Sequence, residues 1–326
     1  MKPITAIGKF LDQPLLVAKV NSHVPLALGV ASSALWFKKM KDTPKEQRKK
    51  EGLKQGVILA ATALSAIAAP KIASKLTKRM PFPSVKEVQK QTANIADTFI
   101  KQNKTPELKP VFEKSKTKLL SLKEISSLFN KNQEAANKLI PPPDNIQAKD
   151  IFKEIGYLSV FGAVPVIGGI TGGILADSLV EKNWKDKIPD KINEGMYQYL
   201  ANIFMCNIGA GAALGILEHK GIQSKSARCL GMIGGIILTG VIGGSAIANF
   251  IGNKIVKPLI SKDKKEEQRT PELLDISLHT DDIATVSLLS GLKWIEPALP
   301  LIYSISGYRA AIGYRNDENL KNENKK

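Results

Sequence analysis

Apolar residues form separate blocks along the 326-residue chain, and charged segments lie between these blocks. After residue 143, three blocks cover about 155–176, 196–217 and 229–251. A helix needs about 20 mainly apolar residues to cross the hydrocarbon core of a bilayer. Each block has that length, so the pattern predicts three transmembrane helices, and a longer block over about 283–312 predicts a fourth. The polar segments between the blocks are interpreted as connections.

Two shorter apolar blocks come earlier, over about 24–37 and 56–70. Both have lysines at their ends, and residues 38–54 between them contain eight Lys or Arg. Lysine stems can reach the headgroup region and so extend the usable length of a short block. Residues 1–80 are therefore expected to form an N-terminal amphipathic segment and a short membrane hairpin. Whether the two hairpin helices cross the bilayer or enter one leaflet stays open.

Residues 81–143 have a different pattern, because they are rich in charge, poor in glycine and helically periodic. Ser121 and Glu124 fit a capping box, in which both side chains bond free N–H groups at the start of a helix. Three prolines at 141–143 form a stiff boundary after it. This stretch predicts a small basic extramembrane helical module that binds anionic vesicles.

The complete pattern predicts an all-α fold. A multi-pass transmembrane helical bundle is expected over residues 144–316, after the module, and a charged C-terminal tail over 317–326. Orientation stays open, because basic residues follow both hairpin blocks and the positive-inside rule depends on an asymmetry between the two sides.

Small residues recur every four positions in the apolar blocks, and in lipid such residues let helix backbones approach closely. The block at 229–251 carries two of these series, which begin at Gly231 and Gly240. Nine residues at 100° each place them on opposite faces, so this helix is expected to pack between two partner helices. A glycine-lined ligand path is the alternative. The candidate packing residues are Gly168, Gly172, Gly211, Gly215, Gly231, Gly235, Gly240 and Gly244.

The last apolar block contains two opposite charges, Lys293 and Glu296, which are three residues apart. On a helix this spacing predicts an intramembrane ion pair, and a charge within a span suggests a functional site. Pro297 and Pro300 predict a helix kink at the same depth. Transporters use broken helices of this kind for binding. The alternative is that two half-spans meet at the membrane interface, with Lys293 at the headgroup level.

The net charge of +17 comes mainly from lysine, and only 6% of the residues are aromatic. Basic proteins usually bind nucleic acid or an anionic lipid surface. Nucleic-acid binding normally adds arginine and stacking aromatics, whereas these lysines border apolar blocks. We therefore expect a lipid bilayer with anionic headgroups as the partner and no nucleic acid. A protein partner or a homo-oligomer stays possible.

Catalytic motifs are absent from the sequence. Cys206 and Cys229 form no CxxC pair, and the three histidines are scattered singly. Gly209 and Gly211 lack the third small residue and the preceding strand of a dinucleotide-binding loop. No catalytic, metal-binding or cofactor-binding residue is predicted, and no enzyme is expected. The leading interpretation is a membrane scaffold or assembly factor, with a transporter or channel, and more distantly a membrane-inserting pore-former, as alternatives.

Overall fold

The computed structural model describes residues 3–142, 147–260, 269, 272, 275 and 296–314. In these residues the protein is helical and contains no strand, which confirms the all-α fold. The helices are α1 (Pro3–Leu11), α2 (Pro14–Asp42), α3 (Arg48–Thr77), α4 (Val85–Gln102), α5 (Lys109–Ser115), α6 (Leu122–Lys131), α7 (Gln133–Leu139), α8 (Ala148–Val180), α9 (Ile188–Tyr199), α10 (Met205–His219), α11 (Lys225–Ile236), α12 (Ser245–Ile251), α13 (Lys257–Ile260) and α14 (Leu299–Ile312). Wider π-helical turns at Leu200–Phe204, Ile237–Gly244 and Gly252–Val256 join α9 to α10, α11 to α12 and α12 to α13.

The chain divides into two compact units. Unit 1 contains the described parts of residues 1–24, 81–146 and 286–298, and unit 2 contains those of 25–80, 147–285 and 299–326. These units differ from the consecutive domains expected from the sequence, because each unit combines separate stretches of the chain. The helices expected as an N-terminal hairpin belong with the later apolar helices, because α3 packs along α8.

Unit 1 is a helical module with its own apolar core. Phe99 of α4 stacks on Phe112 of α5 with 5.9 Å between ring centroids, and both are buried with leucines and isoleucines of α6 and α7. The capping box at Ser121 and Glu124 is confirmed, and a second one begins α4 at Ser84. Locally favoured helix starts and a shared core therefore define this unit.

Five helical segments are long and apolar enough to cross a membrane: Pro14–Asp42, Lys45–Thr77, Ala148–Val180, Trp184–His219 and Ser226–Val256. The first two are longer than their apolar blocks, because the helices continue through the flanking lysines. Of the large apolar side chains that are exposed in the described residues, all but Ile7 and Leu122 belong to unit 2. An apolar outer surface on a helical bundle is suited to lipid. Length, composition and surface together indicate a multi-pass membrane protein.

The helices of unit 2 are ordered so that four of their ends meet. Lys54, near the start of α3, pairs with Asp177 near the end of α8, so these helices are antiparallel. Lys191, near the start of α9, also pairs with Asp177, and its ammonium group donates to the carbonyl oxygen of Ala311 near the end of α14. We call this end of unit 2, where α3 and α9 begin and α8 and α14 end, the charged end.

Close glycine contacts hold α8 between two neighbours. A Cβ added at Gly168 or Gly172 would overlap Ser65 or Ala61 of α3. A Cβ added one residue later along α8, at 169 or 173, would overlap backbone atoms of α14. The close backbone approach therefore occurs on both sides of α8.

The four candidate glycines of α11 and of the π-helical turn after it face one neighbouring run of chain, α9–α10, rather than two. A Cβ added at Gly231 would overlap the side chain of Leu217, and one added at Gly235 would overlap the carbonyl oxygen of Gly209. A Cβ at Gly240 would overlap Cys206, and a Cβ at Gly244 would lie 2.9 Å from the Ala201 Cα. The expectation of two partner helices is wrong, because a π turn uses one residue more than an α turn. The segment Ile237–Gly244 thereby returns the second glycine series to the face of the first.

The two remaining candidate glycines, Gly211 and Gly215, lie in looser surroundings. A Cβ at Gly211 would come within 3.1 Å of the Phe152 ring, and at Gly215 it would meet the Ala148 Cβ at an ordinary 3.7 Å. That any of the eight glycines stabilises the bundle stays a prediction.

Candidate functional site

Ten charged side chains gather at the charged end of unit 2, and they form two groups. The lysine cluster consists of Lys54, Asp177, Glu181, Lys187 and Lys191. The arginine cluster consists of Glu194, Arg269, Glu272, Asp275 and Arg309. Lys191 and Glu194 are three residues apart on α9, so one helix contributes to both groups.

The lysine cluster is centred on Asp177, whose side chain is fully buried. The Lys54 ammonium lies 2.8 Å from one carboxylate oxygen, and the Lys191 ammonium lies 2.9 Å from the other. Lys191 is 2% exposed. A buried ion pair of this kind requires both partners, because removing one leaves an uncompensated charge.

Glu181 extends the lysine cluster towards the connection after α8. Its carboxylate accepts a hydrogen bond of 2.7 Å from Lys54 and is paired with Lys187. Desolvation acts to raise the pKa of Glu181, but the hydrogen bonds and charges of Lys187 and Lys54 outweigh it and lower this pKa to about 2. Glu181 is therefore held as an anion.

In the arginine cluster, two carboxylates share two guanidinium groups. Arg269 bonds Glu194 at 3.0 Å through Nε and Asp275 at 3.0 Å through Nη2. Arg309 lies 3.0 Å from Asp275 through Nη1, 3.6 Å from Glu194 through Nε and 3.0 Å from Glu272 through Nη2. All but Glu272 are at least nine-tenths buried. Four charged groups thus link α9 and α14 to residues 269 and 275.

Two amide side chains, on α9 and on the π-helical turn that follows it, complete the hydrogen bonding of these carboxylates. Gln198 donates to Glu194 at 2.8 Å, and Asn202 donates to Gln198 at 3.0 Å and to Asp275 at 3.2 Å. The spacing of four residues places all three side chains of the helix on one face.

Aromatic rings cover both guanidinium groups. Arg269 lies 4.4 Å from the centroid of the Tyr197 ring, and Arg309 lies 4.2 Å from that of Tyr314. Burial acts to lower the pKa of Arg269, but the charges of Glu194 and Asp275 outweigh it and raise this pKa above its usual value. Arg269 therefore stays cationic.

The charges of the two clusters compensate one another. Three lysines face two carboxylates in the lysine cluster, and two arginines face three carboxylates in the arginine cluster. Every carboxylate of the clusters has a cationic partner within 3.0 Å. Such compensated groups favour one arrangement of the helices that carry them, because another arrangement would leave charges unpaired.

The predicted site residues lie elsewhere. Lys293 is outside the described residues, so its pairing with Glu296 stays a prediction. Glu296 and Pro297 form a short 3-10 turn, are buried and belong to unit 1. Pro300 is the second residue of α14. A proline in the first turn of a helix removes no helical hydrogen bond, so Pro300 is compatible with the start of α14. The helix kink at Pro297 and Pro300 stays a prediction.

None of the ten cluster residues is predicted as a site from the sequence. Eight of them lie in the segments 177–195 and 252–282, which are interpreted there as connections between apolar blocks. Lys54 ends the basic segment 38–54, and Arg309 lies in the last apolar block. One signal was present. Glu194, Gln198 and Asn202 place a polar stripe at four-residue spacing on a helix that continues into an apolar block. A polar stripe in such a helix usually faces the bundle interior and finds partners there.

The described residues contain no group of His, Cys, Asp or Glu side chains arranged to hold a metal ion. Comparisons of the chain with protein-family models, with curated proteins and with solved structures gave no match.

Proposed function

We propose that this protein is a non-enzymatic membrane scaffold, in which a multi-pass helical bundle carries a folded helical module outside the membrane. The observation that carries the proposal is the contrast between the surfaces of the two units. Large exposed apolar side chains are frequent on unit 2, whereas in the described part of unit 1 they are Ile7 and Leu122. A lipid-facing surface on one unit and a water-compatible surface on the other support a membrane anchor with an extramembrane module.

The buried clusters support the same proposal. Their ion pairs join helices that are far apart in the sequence, such as α3 with α8 and α9 with α14. A scaffold requires a fixed arrangement of its elements, and a fully paired buried network penalises alternative arrangements because they would leave charges unpaired.

The module offers a basic surface for a partner. Residues 81–142 contain eleven lysines and six acidic residues. The partner that we propose is the anionic surface of a bilayer, to which basic segments bind in a salt-dependent manner. A protein partner that carries acidic groups would meet the same surface.

A transporter is the second candidate, and one observation favours it. Glu194 and Asp275 are buried together between two guanidinium groups, next to an apolar helix, where ionisable residues often mark ion or proton pathways. In that case the clusters would change partners during a transport cycle.

Solute flux into proteoliposomes distinguishes the two candidates. A scaffold leaves the liposomes as impermeable to protons and potassium as protein-free ones, and Glu194→Gln changes thermal stability only. Proton or potassium flux that depends on the protein and disappears in a folded Glu194→Gln variant would contradict the scaffold and support the transporter. The exposed Glu134→Gln variant serves as the matched control, since Glu134 pairs with Lys138 at the surface of unit 1.

A further inference from the structure

An apolar groove runs between α2 and α3 within unit 2. It has a volume of about 580 Å³ and is open on its outer side. Small or apolar residues line it, among them Pro25, Gly29, Trp36, Gly56, Ala60 and Ile67. This volume falls within the range of about 300–1,000 Å³ that is usual for small-molecule sites.

The groove opens on a surface suited to lipid. Leu26 and Val30 of α2 are 66% and 62% exposed, and Leu64 of α3 is 67% exposed. Both helices belong to segments that are long and apolar enough to cross a membrane. An acyl chain fills such a groove better than water, because the lining offers water few polar partners.

One end of the groove is defined by Trp36. Its indole N–H donates a hydrogen bond of 2.9 Å to the carbonyl oxygen of Gly52, which joins the end of α2 to the start of α3. Tryptophan is enriched at the level of the lipid headgroups. The groove therefore ends where a headgroup would begin.

Lysines continue the two groove-lining faces beyond Trp36. Lys49 precedes Gly56 by seven residues, or two helical turns, and so lies on the face of α3 that lines the groove. Lys39 of α2 lies three residues after Trp36, on the same side of that helix. Both lysines are exposed. The carboxylate of Glu51 accepts a hydrogen bond from the side chain of Gln55, one turn further along α3.

We infer that this groove binds an anionic phospholipid of the bilayer, with an acyl chain between α2 and α3 and the phosphate group near Lys49 and Lys39. The apolar lining favours an acyl chain, and the two lysines at the end of the groove favour an anionic headgroup over a zwitterionic one. This inference requires the membrane location and does not depend on the scaffold function.

A helix of a second copy is a poorer occupant. Two copies in one bilayer share the same orientation, so their segments 38–54 would lie at the same depth. Each of these segments has eight basic and three acidic residues, and like charges at close range repel. A lipid phosphate neutralises the same lysines.

The test uses the fluorescence of Trp36 in the full chain, with Trp184→Phe and Trp294→Phe so that Trp36 is the one tryptophan. The protein is reconstituted with phosphatidylglycerol or phosphatidylcholine whose acyl chains carry bromine, a contact quencher. At equal mole fraction we expect the anionic lipid to bind the groove about fivefold more strongly, the factor that one lysine near an anionic surface contributes. The preference should fall with added salt.

Two sets of variants separate the headgroup site from the groove. Lys39→Gln with Lys49→Gln should remove the preference, whereas the control Lys38→Gln with Lys50→Gln, on other helix faces, should keep it. Gly29→Leu should lower quenching by both lipids, because nothing lies within 4 Å of the Gly29 position and the new side chain would fill the groove. Equal quenching by both lipids, a preference unaffected by the Lys39 and Lys49 changes, or quenching unaffected by Gly29→Leu would each overturn the inference. Absence of quenching together with crosslinking between copies at α2 would assign the groove to a second copy instead.

Discussion

Arg309 Nη1 and Asp275 Oδ1 lie 3.0 Å apart, and their side chains are 4% and 2% exposed. Asp275 lies in the chain between the helical segment Ser226–Val256 and α14, so the pair joins α14 to a preceding part of the chain. Arg269 and Glu194 continue the contact on one side, and Glu272 does so on the other. The position of α14 in unit 2 therefore depends on charges that are compensated only when these parts of the chain are together.

Removing one member of this pair should destabilise the protein more than removing both. Arg309→Met leaves Asp275 short of a cation, and Asp275→Asn leaves Arg309 short of an anion. Each single change should lower the free energy of unfolding by about 3–5 kcal/mol. The double variant retains the pair of Arg269 with Glu194 and should recover much of the loss. The measurement is reversible unfolding in detergent or bicelles.

The matched control for this cycle is the exposed pair of Lys138 with Glu134, four residues apart on α7. Lys138→Met and Glu134→Gln should each cost under about 1 kcal/mol, because solvent screens an exposed pair. Equal, additive and small effects at Arg309 and Asp275 would show that solvent reaches the arginine cluster, contrary to its burial here.

Acidification should remove the contribution of Glu181 to stability. The pKa of Glu181 is about 2 in the folded protein, against an ordinary value of 4.5. Because the folded pKa is the lower one, the contribution is complete above about pH 4.5 and is lost as the pH falls towards 2. The difference in stability between the wild type and Glu181→Gln should therefore be constant near neutral pH and disappear in that acidic window. A difference that persists at pH 2, or one that grows on acidification, would contradict the pairing with Lys54 and Lys187.

Two neighbouring glycines of α11 should respond in opposite ways to the same substitution. A Cβ at Gly235 would overlap the Gly209 carbonyl oxygen, whereas nothing lies within 4 Å of the Cβ position at Gly234. Gly235→Ala should cost about 1–3 kcal/mol through overpacking. Gly234→Ala should be neutral or stabilise by up to about 1 kcal/mol, because alanine favours the helix. Thermal unfolding of both variants checks this, and equal stabilities would show that α11 and α10 are not closely packed.

Gln13 should be important for the fold of unit 1. Its side-chain amide accepts a hydrogen bond of 2.7 Å from the Leu120 N–H and donates one of 3.0 Å to the Leu120 carbonyl oxygen, both in buried surroundings. Gln13→Ala leaves both backbone groups unpaired and should cost about 1–3 kcal/mol. Amide hydrogen exchange at Leu120 should become faster. Gln89→Ala is the control, because Gln89 makes one exposed bond of 3.4 Å to Thr117. Unchanged exchange at Leu120 after Gln13→Ala would contradict the contact.

Local patterns predict the helices well and their partners poorly. The capping box at Ser121 follows from four adjacent residues, and the apolar blocks follow from composition, so both are predictable from the sequence. That Gly231 and Gly240 face the same neighbour is not predictable in this way, because a rotation of 100° per residue holds for an α-helix and not for the π-helical turn Ile237–Gly244. The ion pair of Arg309 with Asp275 joins residues 34 positions apart, and no local pattern relates them. A spacing rule instead favours near neighbours such as Lys293 and Glu296.

We propose that five helical segments cross a membrane and that the helical module of unit 1 lies in the aqueous phase. Single cysteines at positions 45, 110, 185 and 221, in a variant with Cys206 and Cys229 replaced by alanine, test it most directly. Five crossings predict that a membrane-impermeant thiol reagent labels 45 and 185 from one side of sealed vesicles, and 110 and 221 from the other. Labelling of all four positions from one side would contradict the claim, because the hydrophobic segments would then enter the bilayer without crossing it.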